Sequence, residues 1–394
     1  MIKLGTRHNL IYPLIFSIFN GIRKIDSIIM KRYLNYSGCT FIAFTIVFSE
    51  FTSGLILCLI NRKYIKNKEI ASNFKRIQLI KAKSEISPLD SKIKIYILII
   101  FASYLDFSEN IFSSYYIPDK FTRISPSLSL RLKSIVICLS GLFSHFILKI
   151  SIFKHQIFSM IIIFICLIFT IIIEMQEYYN NHNKKKGLGY IVKVISLTLI
   201  NDTFVSGYDI IEKYLLEYNF IYPFKLLMLE GLFGIIFVLL FTIYQDPFEQ
   251  MKIIKKHHPE HLKYLSILLI IFFLVSCGRN IYRITTNKLF SPTAKALSDY
   301  IFAPILICIS FAIDNDFSDG PNKSYFYFIS NLVLSFIIVF CGIIYNEFII
   351  LFCCNLHYDT HIEVSKRSKI IDSSKSFNLS INDSLNESSF YCKD

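Results

Sequence analysis

Ten long apolar runs, separated by short polar stretches, recur along 394 residues, and this pattern constrains the chain more than any other. A helix needs roughly 17 to 25 mainly apolar residues to cross a ~30 Å hydrocarbon layer. Segments of that length lie near 9–30, 38–60, 93–117, 126–148, 156–174, 188–212, 223–244, 262–287, 291–313 and 325–352. Hydrocarbon offers no water to backbone amides, so each run is expected to be a helix that pairs its own N–H and C=O groups. Charges interrupt the first, third and sixth runs. Hydrophobic residues make up 53% of the chain, too many for the two or three soluble domains its length would otherwise suggest.

The formal net charge of +13 does not point to nucleic acid, because the Lys and Arg residues gather in short segments between apolar runs, where anionic headgroups are their ordinary partners. The main basic segment, 61–92, holds Arg62, Lys63, Lys66, Lys68, Lys75, Arg76, Lys81, Lys83 and Lys92. With ten spans, that segment, residues 1–8 and the 353–394 tail are expected in the cytosol, and the acidic 314–324 segment (Asp314, Asp316, Asp319) on the far side. The Ser- and Asn-rich tail is expected to be disordered. No cleavable signal is expected, since 9–30 carries Arg23, Lys24 and Asp26 and lacks a small-residue cleavage site. Most of the ten cysteines sit inside apolar runs without CxxC spacing and read as small core residues, while Cys353 and Cys354 are candidates for acylation.

The two halves resemble each other. Glu50-Phe-Thr-Ser-Gly54 and Glu230-Gly-Leu-Phe-Gly234 each precede an apolar run, and Asp26 and Asp209 precede them in turn. Glu109-Asn110-Ile111-Phe112 is matched by Arg279-Asn280-Ile281-Tyr282, and Ser125-Pro126 by Ser291-Pro292. The common order implies a five-helix unit (9–174) repeated at 188–352. An odd number of spans per unit forces opposite insertion, so the expected fold is all-α, with ten transmembrane helices in two inverted five-helix repeats.

Several of these residues resemble the drug/metabolite transporter superfamily, and most closely the F-type branch of solute carrier family 35, relatives of the nucleotide-sugar transporters. The resemblance lies in Ile211-Glu212-Lys213, Tyr218, Pro223 and Glu230-Gly231-Leu232-Phe233-Gly234. Leu132-Lys133-Ser134, Ser140-Gly141-Leu142-Phe143-Ser144, and Ser291-Pro292-Thr293-Ala294-Lys295 through Asp299 are similar to further stretches of that branch. It implies a secondary-active carrier of a small organic anion, such as a nucleotide sugar or nucleotide, acting in an endomembrane of Golgi, ER or vacuolar type.

Ionised side chains near a bilayer centre persist where they are paired, line a wet cavity or contact substrate. Those singled out in the expected spans are Asp26, Glu50, Asp106, Glu109, Arg131, Lys133, Asp202, Asp209, Glu212, Glu230, Arg279, Arg283, Lys295 and Asp299. Lys133 and Lys295 follow Ser-Pro starts in corresponding spans and are candidate anion ligands. Alternatively, Lys133 and Asp299 form a buried ion pair between the halves. Arg279 and Arg283 share a helix face and either extend the basic surface or reach a headgroup interface. Glu50, Glu230 and Asp209 are candidates for carrying a coupled proton or for a structural role.

Tyr12, Tyr104, Tyr115, Tyr208 and Tyr282 are aromatic candidates for stacking on a ligand, and His257, His258 and His261 form a polar group in 245–261. No Walker, GxSxG, HExxH or dinucleotide-binding pattern is present, so no catalytic residue, metal or cofactor is expected. The expected partners are an anionic solute and the bilayer, with homodimerisation left open. A non-transporting receptor or scaffold is the first alternative, and an intramembrane transferase built on Asp202, Asp209 and Glu212 the second.

Of six N-x-S/T sequons, the orientation above exposes Asn35 and Asn322 to the lumen and hides Asn378, Asn382 and Asn386. Endoglycosidase treatment is expected to shift the wild type and to have no effect on a chain carrying both Asn35→Gln and Asn322→Gln.

Overall fold

The structure is a computed structural model that describes residues 2–4, 10–34, 36, 39–62, 89, 91–112, 132–181, 188–243, 249–257, 259–317 and 325–351. Ser125-Pro126, Arg131, Tyr115, His258, Asp319, Cys353, Cys354, most of 61–92, the 353–394 tail and the sequons Asn35, Asn322, Asn378, Asn382 and Asn386 lie outside them. Within the described residues each of the ten apolar runs contains helix. In chain order they are α1 (Ile11–Tyr33), α2 (Cys39–Ile60), α3 (Lys92–Ile111), α4 (Ile135–Leu148), α5 (Lys154–Asn181), α6 (Leu188–Glu217) and α7 (Pro223–Thr242). After α8 (Glu249–His257) follow α9 (Pro259–Leu289), α10 (Pro292–Tyr300), α11 (Ala303–Phe317) and α12 (Tyr325–Tyr345).

Three local features depart from the apolar pattern. The segment 245–261, expected to be a loop, contains α8, and His261 belongs to α9, so the three histidines are not one polar loop. Helix α11 continues through Asp314 and Asp316, which the sequence placed in a loop. The ninth run is broken at 301–302, just before Ala303-Pro304. Proline has no N–H to give the preceding turn and disfavours a helical residue before it, so the ladder stops there.

Six stretches among the described residues are long and apolar enough to cross a membrane: Thr40–Ile60, Lys154–Ile173, Pro223–Thr242, Pro259–Leu289, Pro292–Ile309 and Tyr325–Tyr345. The chain is accordingly a multi-pass helical membrane protein. Outside this set are α4, which has 14 residues, and α1, α3 and α6, which carry many of the charges. Large apolar side chains face outward on α5 (Phe158, Ile161, Phe164, Ile165, Ile168, Phe169), α9 (Ile267, Ile270, Leu274) and α12 (Phe326, Ile329, Val333, Phe336). Such a surface would drive association in water and is the expected one in lipid. Helices α1 (Leu14, Ile18, Ile22) and α3 (Ile93, Ile97, Ile100, Phe101) also expose apolar faces.

The interior is formed between the first five helices and the last seven. Helix α2 packs on α7, α1 on α9, α3 on α6, α2 on α9, α3 on α7, α4 on α6, α1 on α10, α4 on α10, and α5 on α12. Glycines set the closest approach. A Cβ on Gly54 would overlap the backbone of Met228 and Phe224, and one on Gly231 would overlap the backbone of Phe51 and Val47. These contacts are reciprocal: Gly54 and Gly231, Phe51 and Met228, and Val47 and Phe224 are each 177 residues apart. Strand β1 (Ile2–Leu4) pairs antiparallel with β2 (Ile349–Leu351), so the segments before α1 and after α12 meet on one side of the bundle.

At Gly207 an added Cβ meets only Leu105 Cδ1, at 3.5 Å. Gly54→Val and Gly231→Val are each expected to destabilise the protein by about 3 kcal/mol or more, whereas Gly207→Ala is expected to be neutral or stabilising by ~0.5 kcal/mol. Thermal melting of the detergent-solubilised protein, followed by size-exclusion chromatography, separates the two outcomes.

Candidate functional site

The charges that interrupt the apolar runs meet inside the bundle. Arg283, on the buried face of α9, is about 1% exposed and is surrounded by four carboxylates from four helices. Its Nη1 lies 3.3 Å from Glu50 Oε1 on α2 and 3.5 Å from Asp106 Oδ1 on α3. Its Nη2 lies 3.6 Å from Glu212 Oε1 on α6 and 3.6 Å from Glu230 Oε2 on α7. The Tyr208 ring sits 4.9 Å from the guanidinium carbon, and its hydroxyl donates to Glu230 Oε2 at 2.8 Å. Asn287 donates to Glu212 Oε2 at 2.5 Å, and Asn110 to Asp106 Oδ2 at 3.1 Å.

These neutral donors are distributed unevenly. Glu212, Glu230 and Asp106 each accept a hydrogen bond, while neither oxygen of Glu50 does, although that side chain is fully buried. One positive charge against four carboxylates would leave a net charge of −3 were all four ionised, and burying unbalanced charge in a low dielectric is costly.

A second cation adjoins this group. Lys295 on α10 donates to Asp209 Oδ1 on α6, lies 4.0 Å from Asp299 Oδ2 one turn along, and is 5.7 Å from the centre of the Tyr208 ring. Lys213, also on α6, donates to the carbonyls of Asn287, Lys288 and Phe290 at 2.9, 3.1 and 2.7 Å. It thus caps the carboxyl end of α9, where a cation complements the helix dipole. Adjacent residues of α6 therefore fix α9 in two ways, Glu212 through Arg283 and Lys213 through the helix end.

One turn before Arg283 the balance reverses. Arg279 is 6% exposed and directs its donors to neutral oxygens, Nε to Asn20 Oδ1 at 3.3 Å and Nη1 to Asn280 Oδ1 at 3.1 Å. Its guanidinium carbon is 5.8 Å from the Phe16 ring. Asn280 is held in turn by Ser49, at 2.9 Å. Lys24 on α1 donates to the carbonyl of Asp299 at 3.0 Å, and Asn20 donates to the same oxygen at 3.4 Å. That carbonyl is available because the helix breaks just beyond it, and irregular backbone at membrane depth needs such partners. Lys133, Asp299, Arg23 and Arg279 are all near enough to act on Lys24 electrostatically. Among the described residues no carboxylate lies within 4.0 Å of Arg23, Lys24 or Arg279, and Arg23 Nη1 is buried without a hydrogen bond. The interior is thus polarised, acidic around Arg283 and basic around Arg279.

Lys133, Lys295, Arg279, Arg283, Asp299, Glu50, Glu230 and Asp209 all lie in or beside these two groups. Lys133 pairs with Glu109 at 3.3 Å and Asp299 lies beside Lys295, so the Lys133–Asp299 pair considered above is not formed. Neither Arg279 nor Arg283 reaches a headgroup interface; both are inside. By the 177-residue spacing Glu50 corresponds to Leu227, so Glu230 stands nearly one turn away from its supposed counterpart. Two of the three carboxylates considered for a transferase site, Asp209 and Glu212, face cations, and no group of three or more His, Cys, Asp or Glu among the described residues is placed to hold a metal ion. Asn20, Arg23, Lys24 and Asn287 were not singled out, and Asn280 entered only as the counterpart of Asn110 in the repeat. Arg23 and Lys24 signalled themselves only as charges interrupting the first run, and Asn20 and Asn287 gave no signal beyond polarity in an apolar helix.

No family model matches this chain, and no curated protein matches it.

Removing the cation from a buried network leaves its partners uncompensated. Arg283→Met is expected to destabilise the protein by about 3–5 kcal/mol at neutral pH. The deficit is expected to shrink on acidification, because protonated carboxyl groups no longer repel one another. Melting temperatures of wild type and variant at neutral and mildly acidic pH check both parts.

Proposed function

We propose that the chain is a secondary-active carrier for a small organic anion, built as two inverted five-helix units and working in an internal membrane. The observation that carries this reading is the basic group of buried Arg279 with the half-buried Arg23 and Lys24, none of which has a carboxylate within 4.0 Å among the described residues. A buried guanidinium with no carboxylate in direct contact attracts an anion, and its planar donors suit carboxylate or phosphate. Lys133, already paired with Glu109, borders the group and extends its positive field. Lys295, Asp209 and Asp299 hold the broken α10–α11 segment against α6 and α1.

The helix packing supports the inverted repeat. Exchange of α1 for α6, α2 for α7, α3 for α9, α4 for α10 and α5 for α12 turns α1–α9 into α6–α3, α2–α9 into α7–α3, and α4–α6 into α10–α1, all of which are observed. The pairs α2–α7, α4–α10 and α5–α12 map onto themselves. Pairing of β1 with β2 requires an even number of crossings between them, which ten spans satisfy. The apolar outer faces of α1 and α3 support counting these charged helices as spans. A polar centre between inverted units, beside a discontinuous helix, is where carriers of this architecture bind solute. The likeness to the solute carrier 35 F-type branch points to the same activity, but by analogy alone.

The test is uptake by the purified protein in proteoliposomes against radiolabelled nucleoside monophosphates, nucleotide sugars, sugar phosphates and dicarboxylates. Arg279→Ala and Lys24→Ala are each expected to lower uptake of the transported anion at least tenfold, with Arg279→Lys recovering part of it. Binding without flux would favour a receptor and sink the carrier reading; unaltered uptake by both alanine variants would move the anion elsewhere.

A further inference from the structure

The two charge groups share helix α9, and their proximity has a defined sign. Glu50 is fully buried, with no hydrogen bond to either oxygen; Arg283 Nη1 from α9 lies 3.3 Å away, Asp106 from α3, Tyr208 and Glu212 from α6 and Glu230 from α7 surround the same guanidinium, and Arg279, one turn back on α9, is linked through Asn280 to Ser49, the neighbour of Glu50. Of the four carboxylates around Arg283 it alone accepts no hydrogen bond, so a negative charge on Glu50 is faced only by the positive fields of Arg283, at 3.3 Å, and of Arg279 one turn behind it. An anion seated on Arg279 cancels one of those two fields.

We propose that this carrier moves its anion together with a proton, and that Glu50 is the proton-binding side chain. The proposal rests on the carrier reading and adds its coupling ion. A proton from water adds to one oxygen of the Glu50 carboxylate, giving a neutral carboxylic acid with one new O–H donor and lowering the negative charge around Arg283 by one. Anion at Arg279 withdraws the charge that favours the ionised form of Glu50, so it promotes proton binding. By reciprocity, a proton on Glu50 leaves Arg279 freer to attract the anion. The two ligands therefore bind with positive cooperativity, which gives cotransport in one direction; competition between them would have given exchange in opposite directions. Arg283 is a positioning residue here, holding Asp106, Glu212 and Glu230 around Glu50 and touching neither ligand.

The experiment uses the full-length protein in proteoliposomes with uridine monophosphate, UDP-glucose, glucose phosphate and malate as probes, and a pH-sensitive dye inside. For whichever probe is transported, an inward proton gradient is expected to drive accumulation, with the lumen acidifying as the anion enters. Equilibrium binding of that probe is expected to tighten about tenfold from mildly alkaline to mildly acidic pH, within the usual range of coupling between sites. Glu50→Gln is expected to abolish gradient-driven accumulation and flatten the pH dependence of binding, and Glu50→Asp to retain part of both; elution of Glu50→Gln as a single species confirms its fold. Uptake indifferent to the gradient, proton movement opposite to the anion, or a pH dependence unchanged in Glu50→Gln overturns the proposal and leaves the carrier reading standing. Absence of flux and of binding for every probe overturns both.

Discussion

One guanidinium holds this protein together. Arg283 is touched by carboxylates from α2, α3, α6 and α7, so the inner helices of both halves converge on a single side chain of α9. In a medium that solvates no charge, these groups have no alternative to one another. The penalty for separating them is therefore paid on any rearrangement that moves α9 away from its neighbours. The apolar helix surfaces, which face lipid tails as apolar as themselves, give little preference for one arrangement over another. Specificity has to come from the polar interior and from close backbone contact at Gly54 and Gly231.

The same interior is asymmetric in a useful way. Arg283 and Arg279 are one turn apart on one face of α9, yet the first is surrounded by carboxylates and the second by amide oxygens of Asn20 and Asn280. A helix carrying both can respond to ligand charge at either end of its polar face. The break before Ala303-Pro304 adds a second polar device, since the Asp299 carbonyl is shared by Lys24 and Asn20 from α1. Displacement of Lys24 toward an anion would release that carbonyl and so couple α1 to the discontinuous helix.

Some of the site could be read in the sequence because charge in an apolar run is costly enough to be noticed singly. Glu50, Asp106, Glu212, Glu230, Arg279, Arg283 and Lys295 all stood out in this way, and all lie in the interior. Their partners could not be read. The repeat suggested Lys133 with Asp299 and equivalence of Glu50 with Glu230, whereas the helices pair Lys133 with Glu109 and stand at a 177-residue spacing. A register difference of three residues is nearly one turn, enough to change which side chains meet, and weak sequence repetition does not resolve it. Asn20 and Asn287 were invisible, and Asn280 was seen only as part of the repeat, because a neutral amide is a modest interruption until a guanidinium or carboxylate is brought beside it.

By itself the sequence determined that the chain is helical and membrane-embedded, because twenty-residue apolar runs have no other way to satisfy their backbones in lipid. It also determined which residues had to be sheltered, since their charges cannot face hydrocarbon. Tertiary structure alone decided the assignment of partners: which carboxylates surround Arg283, which cation lies against Asp209, and which basic residues have no carboxylate in direct contact. The reason is that interaction between charges depends on distance across helices, and that distance is set by crossing angles, helix register and glycine contacts that no single helix encodes.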